Sequence, residues 1–223
     1  MIRAFAVVCF VTLVLGLTAC TTSGPEIIEL FWQINHRYDV AGQRSYEELA
    51  FFVHGNDADG EDDFESIYLL SDSAELFWHL QADSWERPDI PDETWIGHSG
   101  MQMYRGESFP RGQYRVILAD RAGERAESTI FLSAEIGSPQ ETEYPVVVIS
   151  DGTVRINSTY ARHTIRFYDG ADDLVSLVST DSKVVPLRGV LSPAELERVT
   201  EVSVYAYDDT RGIGVISGDY PVE

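Results

Sequence analysis

Apolar and polar positions along the chain fall into two regimes. Ala4 to Leu15 is one mostly apolar run behind a single positive charge at Arg3, and it gives way to the polar stretch Thr21-Thr22-Ser23-Gly24-Pro25. A bilayer core asks for about 20 consecutive apolar residues, so this segment is too short to span and reads as an export signal that is removed. Beyond it the apolar residues come in short runs rich in β-branched and aromatic side chains, separated by turn signals. In the first half these are Ile27 to Ile34, Glu48 to Val53, Ser66 to Leu70, Leu76 to Leu80, Gln113 to Ala119 and Ser128 to Leu132. Each predicts a strand. In the second half strands are predicted at Val146 to Ser150, Thr153 to Asn157, Thr164 to Tyr168, Leu174 to Val178, Lys183 to Leu187, Glu201 to Tyr207 and Gly214 to Ser217. No long helix fits the pattern.

Two local signals are sharper than the rest. Asp151-Gly152 lies between two β-rich runs and predicts a tight hairpin. Ser192-Pro193-Ala194-Glu195 offers an N-cap, a proline at the first helical position and a glutamate that can reach back, which predicts about two turns of helix over Pro193 to Val199. Residues Ser133 to Tyr144 are polar, contain Gly and Pro, and follow neither period, so they read as a linker. The chain divides into a signal peptide (1–19), a tether (20–25), a first β-sandwich (26–133), a linker (134–144) and a second β-sandwich (145–223). The expected fold class is all-β: two immunoglobulin-like sandwiches with one short helix in the second.

Two resemblances add to this reading. Leu17-Thr18-Ala19-Cys20 resembles the lipobox of bacterial lipoproteins. The resemblance implies that Cys20 becomes the first mature residue and carries a thioether-linked diacylglycerol and an amide-linked acyl chain such as palmitate. Several chains together make a lasting anchor in the lipid bilayer where one alone does not. The lack of an aspartate at Thr21 tilts the expected sorting toward the outer membrane. Gly112-Gln113-Tyr114-Arg115-Val116, followed by Asp120-Arg121-Ala122-Gly123, resembles the last hairpin of bacterial immunoglobulin-like and fibronectin type III-like domains. It implies a tyrosine-corner position for Tyr114, its hydroxyl tied to nearby backbone. Glu201 to Gly214 has a similar cadence in the second half.

Composition narrows the function classes. The formal charge is −21, and Lys183 is the only lysine. Without clustered positive charge, nucleic-acid binding is disfavoured, and the acidity is accounted for by solubility. The second cysteine, Cys9, lies inside the signal, so the mature chain has one thiol, Cys20, and no internal disulfide.

The densest acidic stretch, Asn56 to Glu65, follows a predicted strand. Asp57, Asp59, Asp62 and Asp63 could supply oxygens to calcium, although the spacing fails as an EF-hand, and a solvated turn explains the same residues. Trp85, Trp95 and His98 flank the Pro-rich loop Arg87 to Asp92 and form a candidate ligand-contact region, whereas Trp78 reads as core. There is no Gly-x-Ser-x-Gly elbow, no His-Glu-x-x-His and no phosphate-binding glycine loop, and the five histidines show no ligand spacing. The expectation is a non-enzymatic, membrane-anchored envelope protein that binds other envelope proteins or glycan. A calcium- or carbohydrate-binding module is the alternative, and a hydrolase of envelope polymer comes third.

Overall fold

The computed structural model describes residues 23–133, 138–171 and 173–222; the expected signal peptide and Cys20 lie outside them. Fourteen strands are present among these residues. The first half holds β1 (Glu26–Asp39), β2 (Arg44–Asn56), β3 (Phe64–Ser71), β4 (Leu76–Gln81), β5 (Trp95–Gln102), β6 (Gly112–Asp120) and β7 (Arg125–Leu132). The second holds β8 (Val146–Ser150), β9 (Thr153–Asn157), β10 (His163–Tyr168), β11 (Leu174–Thr180), β12 (Val184–Pro186), β13 (Glu201–Asp208) and β14 (Ile213–Pro221). The fold is all-β, as the short alternating runs predict.

Three sheets form. A four-stranded sheet runs β4-β3-β6-β7, a three-stranded sheet runs β12-β9-β8, and a seven-stranded sheet runs β11-β10-β13-β14-β1-β2-β5. One core lies between the four-stranded sheet and the β1-β2-β5 end of the long sheet, with Leu49, Phe51, Val53, Ile67, Tyr114 and Leu118 at its centre. A second, including Val154, Ile165, Phe167, Val202 and Val204, lies between the three-stranded sheet and the opposite end. Alternation explains which side chains enter: on β2, Leu49, Phe51 and Val53 are fully buried while Glu48 and Phe52 point to the other face.

Several local predictions hold in detail. Tyr114 is fully buried and its hydroxyl donates to the Pro110 carbonyl at 2.8 Å, the backbone tie that the immunoglobulin-like resemblance implied. Trp78 stacks on Phe109 at 5.4 Å against the first core. Asp151 and Gly152 both have positive φ, which is the turn geometry that matches strand twist, and β8 and β9 pair directly across them. Ser192 and Glu195 form the capping box, with the helix spanning Pro193–Arg198 and Val199 as its C-cap.

Others are corrected. The apolar pattern predicts no strand where β5 forms, because Gly97 and Gly100 interrupt it. The glycine is what lets the strand approach, since a Cβ on Gly97 would sit 2.1 Å from the Phe51 carbonyl oxygen. The strand expected over Lys183 to Leu187 ends at Pro186, and Leu187–Val190 makes one helical turn whose first amide bonds to the Gly152 carbonyl at 2.8 Å. Of the expected linker, the described part is docked. Tyr144 is buried beside Ile213 and Val215, its ring 5.5 Å from that of Tyr38. Arg211 holds Glu143 at 2.6 Å and Asp208 at 2.8 Å.

The long sheet exists because β1 and β14 pair in parallel, Asn35 through Asp39 against Gly214 through Gly218. The joint is tight: a Cβ on Gly214 would meet Asn35 Oδ1 at 2.0 Å and a Tyr205 ring carbon at 2.6 Å. Gly214→Ala should therefore destabilise the chain by about 1–3 kcal/mol, the cost of overpacking a closed site, where the same change at an open position is neutral or favourable. Denaturant unfolding of the two proteins checks this, and an unchanged midpoint would show that the joint can relax.

Candidate ligand-binding face

The second face of the seven-stranded sheet carries the side chains that alternation turns away from both cores. β1 contributes Phe31, Gln33 and Arg37, β2 Glu48 and Phe52, β13 Tyr205, and β10 Arg166 and Tyr168. β5 and β11 are opposite edges of this sheet. Residues from both edges nevertheless line one cleft of about 550 Å³: Glu86, Arg87, Pro88 and Ser99 on the β5 side, Arg166, Tyr168, Asp173, Leu174 and Leu177 on the other. The sheet is thus curled, and the face is concave, as strand twist accumulated over seven strands favours.

The floor is polar and internally paired. Arg37 lies 3.7 Å from Glu48 and 2.5 Å from Asp219, and Gln102 Nε2 donates to Glu48 Oε1 at 3.2 Å. Burial of Glu48 pushes its carboxyl above the usual range, outweighing the opposing pull of Arg37 and Arg166. The Arg166 guanidinium stands over the Tyr205 ring at 5.4 Å. Gln33 Nε2 donates to the Tyr205 hydroxyl at 2.9 Å and to Asn35 Oδ1 at 2.7 Å, so side chains from both halves meet in one network.

A second hollow of about 270 Å³ adjoins the cleft and shares Pro88 with it; its lining is Phe31, Phe52, Pro88, Ile90 and Trp95. Phe31 and Phe52 are cross-strand partners with ring centroids 6.4 Å apart. Trp95 stacks on His54 at 5.2 Å, and its indole N–H donates to Glu93 Oε2 at 2.6 Å. Phe31 and Ile90 are both exposed. Core packing leaves less of such side chains in solvent, and grouped apolar exposure of this kind marks contact surfaces.

The sequence-predicted contact residues separate. Trp95 lines the apolar hollow. Trp85 instead packs against the first core with its indole nitrogen buried, and the Arg87 guanidinium lies 5.8 Å from its ring. His98 accepts the Gly100 amide at 3.0 Å and lies 3.5 Å from Glu86, at the margin of the cleft. The partners Trp95 gains, Phe31 and Phe52, lie far upstream on the predicted strands Ile27 to Ile34 and Glu48 to Val53. Their signal is the pair of adjacent aromatics in each of Phe31-Trp32 and Phe51-Phe52, which alternation sends to opposite faces of the sheet.

The acidic loop also divides. Asp57 and Asp63 come together with Asp120, one carboxylate oxygen of each lying within 4.8 Å of the others. Asp59 and Asp62 stand outside this group: Asp59 gives its backbone amide to Asp57, and the fully exposed Asp62 carboxylate faces Arg87 at 3.9 Å. No histidine joins a metal-ligating cluster among the described residues.

Arg37→Met removes the nearest cation from buried Glu48 and should cost about 3 kcal/mol at pH 7. The folded pKa of Glu48, already raised, rises further in the variant. The folded state then holds the proton more firmly than the unfolded one, so the deficit shrinks as pH falls toward 5 and Glu48 is neutralised. Denaturation at both pH values checks the sign, and a deficit that grows on acidification would overturn it.

No family model matches the chain, and no curated protein matches it. Among solved structures the chain is similar to Tp47, the 47-kilodalton lipoprotein of Treponema pallidum, with 13% identity and a TM-score of 0.38 over 90% of this chain. The match covers 52% of that protein, so the chain spans about half its length; a likeness of this degree carries no inference about activity.

Proposed function

We propose that the chain is a lipid-anchored, non-catalytic envelope protein that holds an extended segment of a partner protein across the concave face of its long sheet. The observation that carries this reading is the continuity of the two hollows through Pro88. An apolar side chain of the partner fits among Phe31, Phe52, Ile90 and Trp95, while its polar groups face Glu86, Arg166 and Asp173 in the adjoining cleft. An aromatic anchor pocket beside arginine-bearing polar ground is the usual anatomy of a protein contact. The floor carboxylate, Glu48, is committed to Arg37 and Gln102, which suits a binding surface better than a catalytic one. Anchoring rests on Leu17-Thr18-Ala19-Cys20, and the lack of an aspartate at Thr21 supports the outer membrane as destination. No helix among the described residues is long and apolar enough to cross a membrane.

A photoreactive amino acid placed at Ile90 in the source cells should give one discrete protein adduct, lost when Trp95→Ala is added. The same probe at Val148, exposed on the three-stranded sheet, should give none. Equal adducts at both positions, or none at Ile90, would overturn the proposed face. The anchor is checked by mass spectrometry of the mature amino terminus. Three acyl chains on Cys20 are expected, and an unmodified amino terminus, or full membrane retention of Cys20→Ser, would refute lipidation.

A further inference from the structure

The loop after β2 and the end of β6 bring three carboxylates to one end of the first sandwich. Asp57 and Asp120 are buried, Asp63 is half-buried, and one oxygen from each lies within 4.8 Å of the other two. Local backbone bonds explain only part of this. Asp57 Oδ1 accepts the Asp59 amide at 2.9 Å, and Asp120 Oδ1 accepts the Glu124 amide at 2.8 Å. Asp57 Oδ2 has no hydrogen-bond partner although the residue is only 6% exposed and that atom is closed to solvent. Buried polar atoms are nearly always satisfied, and a buried anion is retained only with a compensating charge. Among the described residues no arginine, lysine or histidine is paired with Asp57, Asp63 or Asp120. Three negative groups, two of them buried, are therefore gathered with no cation paired to them among the described residues.

We infer that Asp57, Asp63 and Asp120 bind a divalent cation, and that the ion is calcium. The donors are all oxygen, which disfavours the transition metals that prefer imidazole and thiolate. Calcium takes about six to eight oxygens at roughly 2.3–2.6 Å in flexible geometry, whereas magnesium asks for near-ideal octahedral geometry at about 2.0–2.1 Å and gives up its water reluctantly. Three carboxylates brought together from two loops, one oxygen of each within 4.8 Å of the others, suit the ion with the more permissive geometry. The site is also held from two directions: the Asp63 carbonyl accepts the Arg121 amide at 3.0 Å, and Asp57 and Gly60 close turns on Gly60 and Asp63. A bound ion ties the β2–β3 loop to the β6–β7 turn, joining segments distant in sequence. This differs from a contiguous calcium loop, and it leaves Asp59 and Asp62 in solvent.

The test uses the full-length protein in detergent, stripped with a chelator, in about 0.15 M salt so that diffuse attraction to the acidic surface is screened. Equilibrium dialysis against calcium alone should give one tightly held ion per chain, with a rise of several degrees in the unfolding midpoint at about 1 mM calcium and a smaller one with magnesium. Asp57→Asn, which keeps the acceptor for the Asp59 amide, and Asp63→Asn should each weaken binding by about tenfold or more. In chelator, Asp57→Asn should melt no lower than the unsubstituted protein, because a carboxylate repelled by its neighbours is gone; this separates loss of the site from loss of the fold. Asp59→Asn and Asp62→Asn should bind as the unsubstituted protein does. Absence of a stoichiometric ion, unchanged binding in folded Asp57→Asn, or loss of binding in Asp59→Asn would overturn the inference.

Discussion

The parallel pairing of β1 with β14 is the constraint on which the rest of the molecule depends. It joins the first strand of the described chain to the last, so all the intervening sequence serves as one crossover. Without it the two cores would each have an open sheet edge at this place, with unpaired backbone groups. With it, both halves lose an edge and gain a common face. The pairing covers only five residue pairs. Its firmness comes from what surrounds it: the missing side chain at Gly214, the Gln33–Asn35–Tyr205 network that fills that space, and the Arg37–Asp219 ion pair.

That joint also makes the concave face. A three-stranded and a four-stranded sheet section would each twist alone and present a modest surface. Fused, they accumulate enough twist to bring Ser99 near one edge and Leu174 at the other to a single cleft. Charge follows the same logic. The chain has 37 acidic against 16 basic residues, so cations are scarce. Several of them hold buried or half-buried carboxylates, Arg37 beside Glu48, Arg111 beside Glu47 and Arg211 beside Glu143 and Asp208, while others such as Arg87 beside Asp62 and Arg162 beside Asp181 stand in solvent. The Arg211 guanidinium holds Glu143 below its usual range. Burial pulls Asp208 and Glu47 upward, yet both end below the usual range, because the Arg211 amide and guanidinium outweigh it at Asp208, and Arg111 with the Phe109 amide at Glu47. Against that background the uncompensated group at Asp57, Asp63 and Asp120 stands apart.

Local chemistry was legible wherever a few neighbouring residues decide the outcome. Asp151-Gly152, the Ser192–Glu195 box and the Tyr114 corner each need only contacts between near neighbours in sequence, and each is found as read. The reading failed where a distant partner changes what a residue is for. Gly97 weakens a strand in isolation, yet it permits one beside Phe51 and Phe52. Trp85 has the flanks of an exposed loop residue but turns into the first core, while Phe31, one residue of a predicted strand, stays in solvent beside the loop residue Ile90.

The sequence by itself determined the all-β class, the two runs of short strands, the turns and the helix, because period, caps and turn residues act over a few positions and their energetics do not need the rest of the chain. The acidity is likewise read directly from the sequence. The tertiary structure alone decided which edges join, because either half offers several strands of equal propensity and only packing selects the β1–β14 pair. It likewise decided that Asp120, rather than Asp59 or Asp62, completes the carboxylate group, since a site assembled from two loops leaves no spacing to read in either of them.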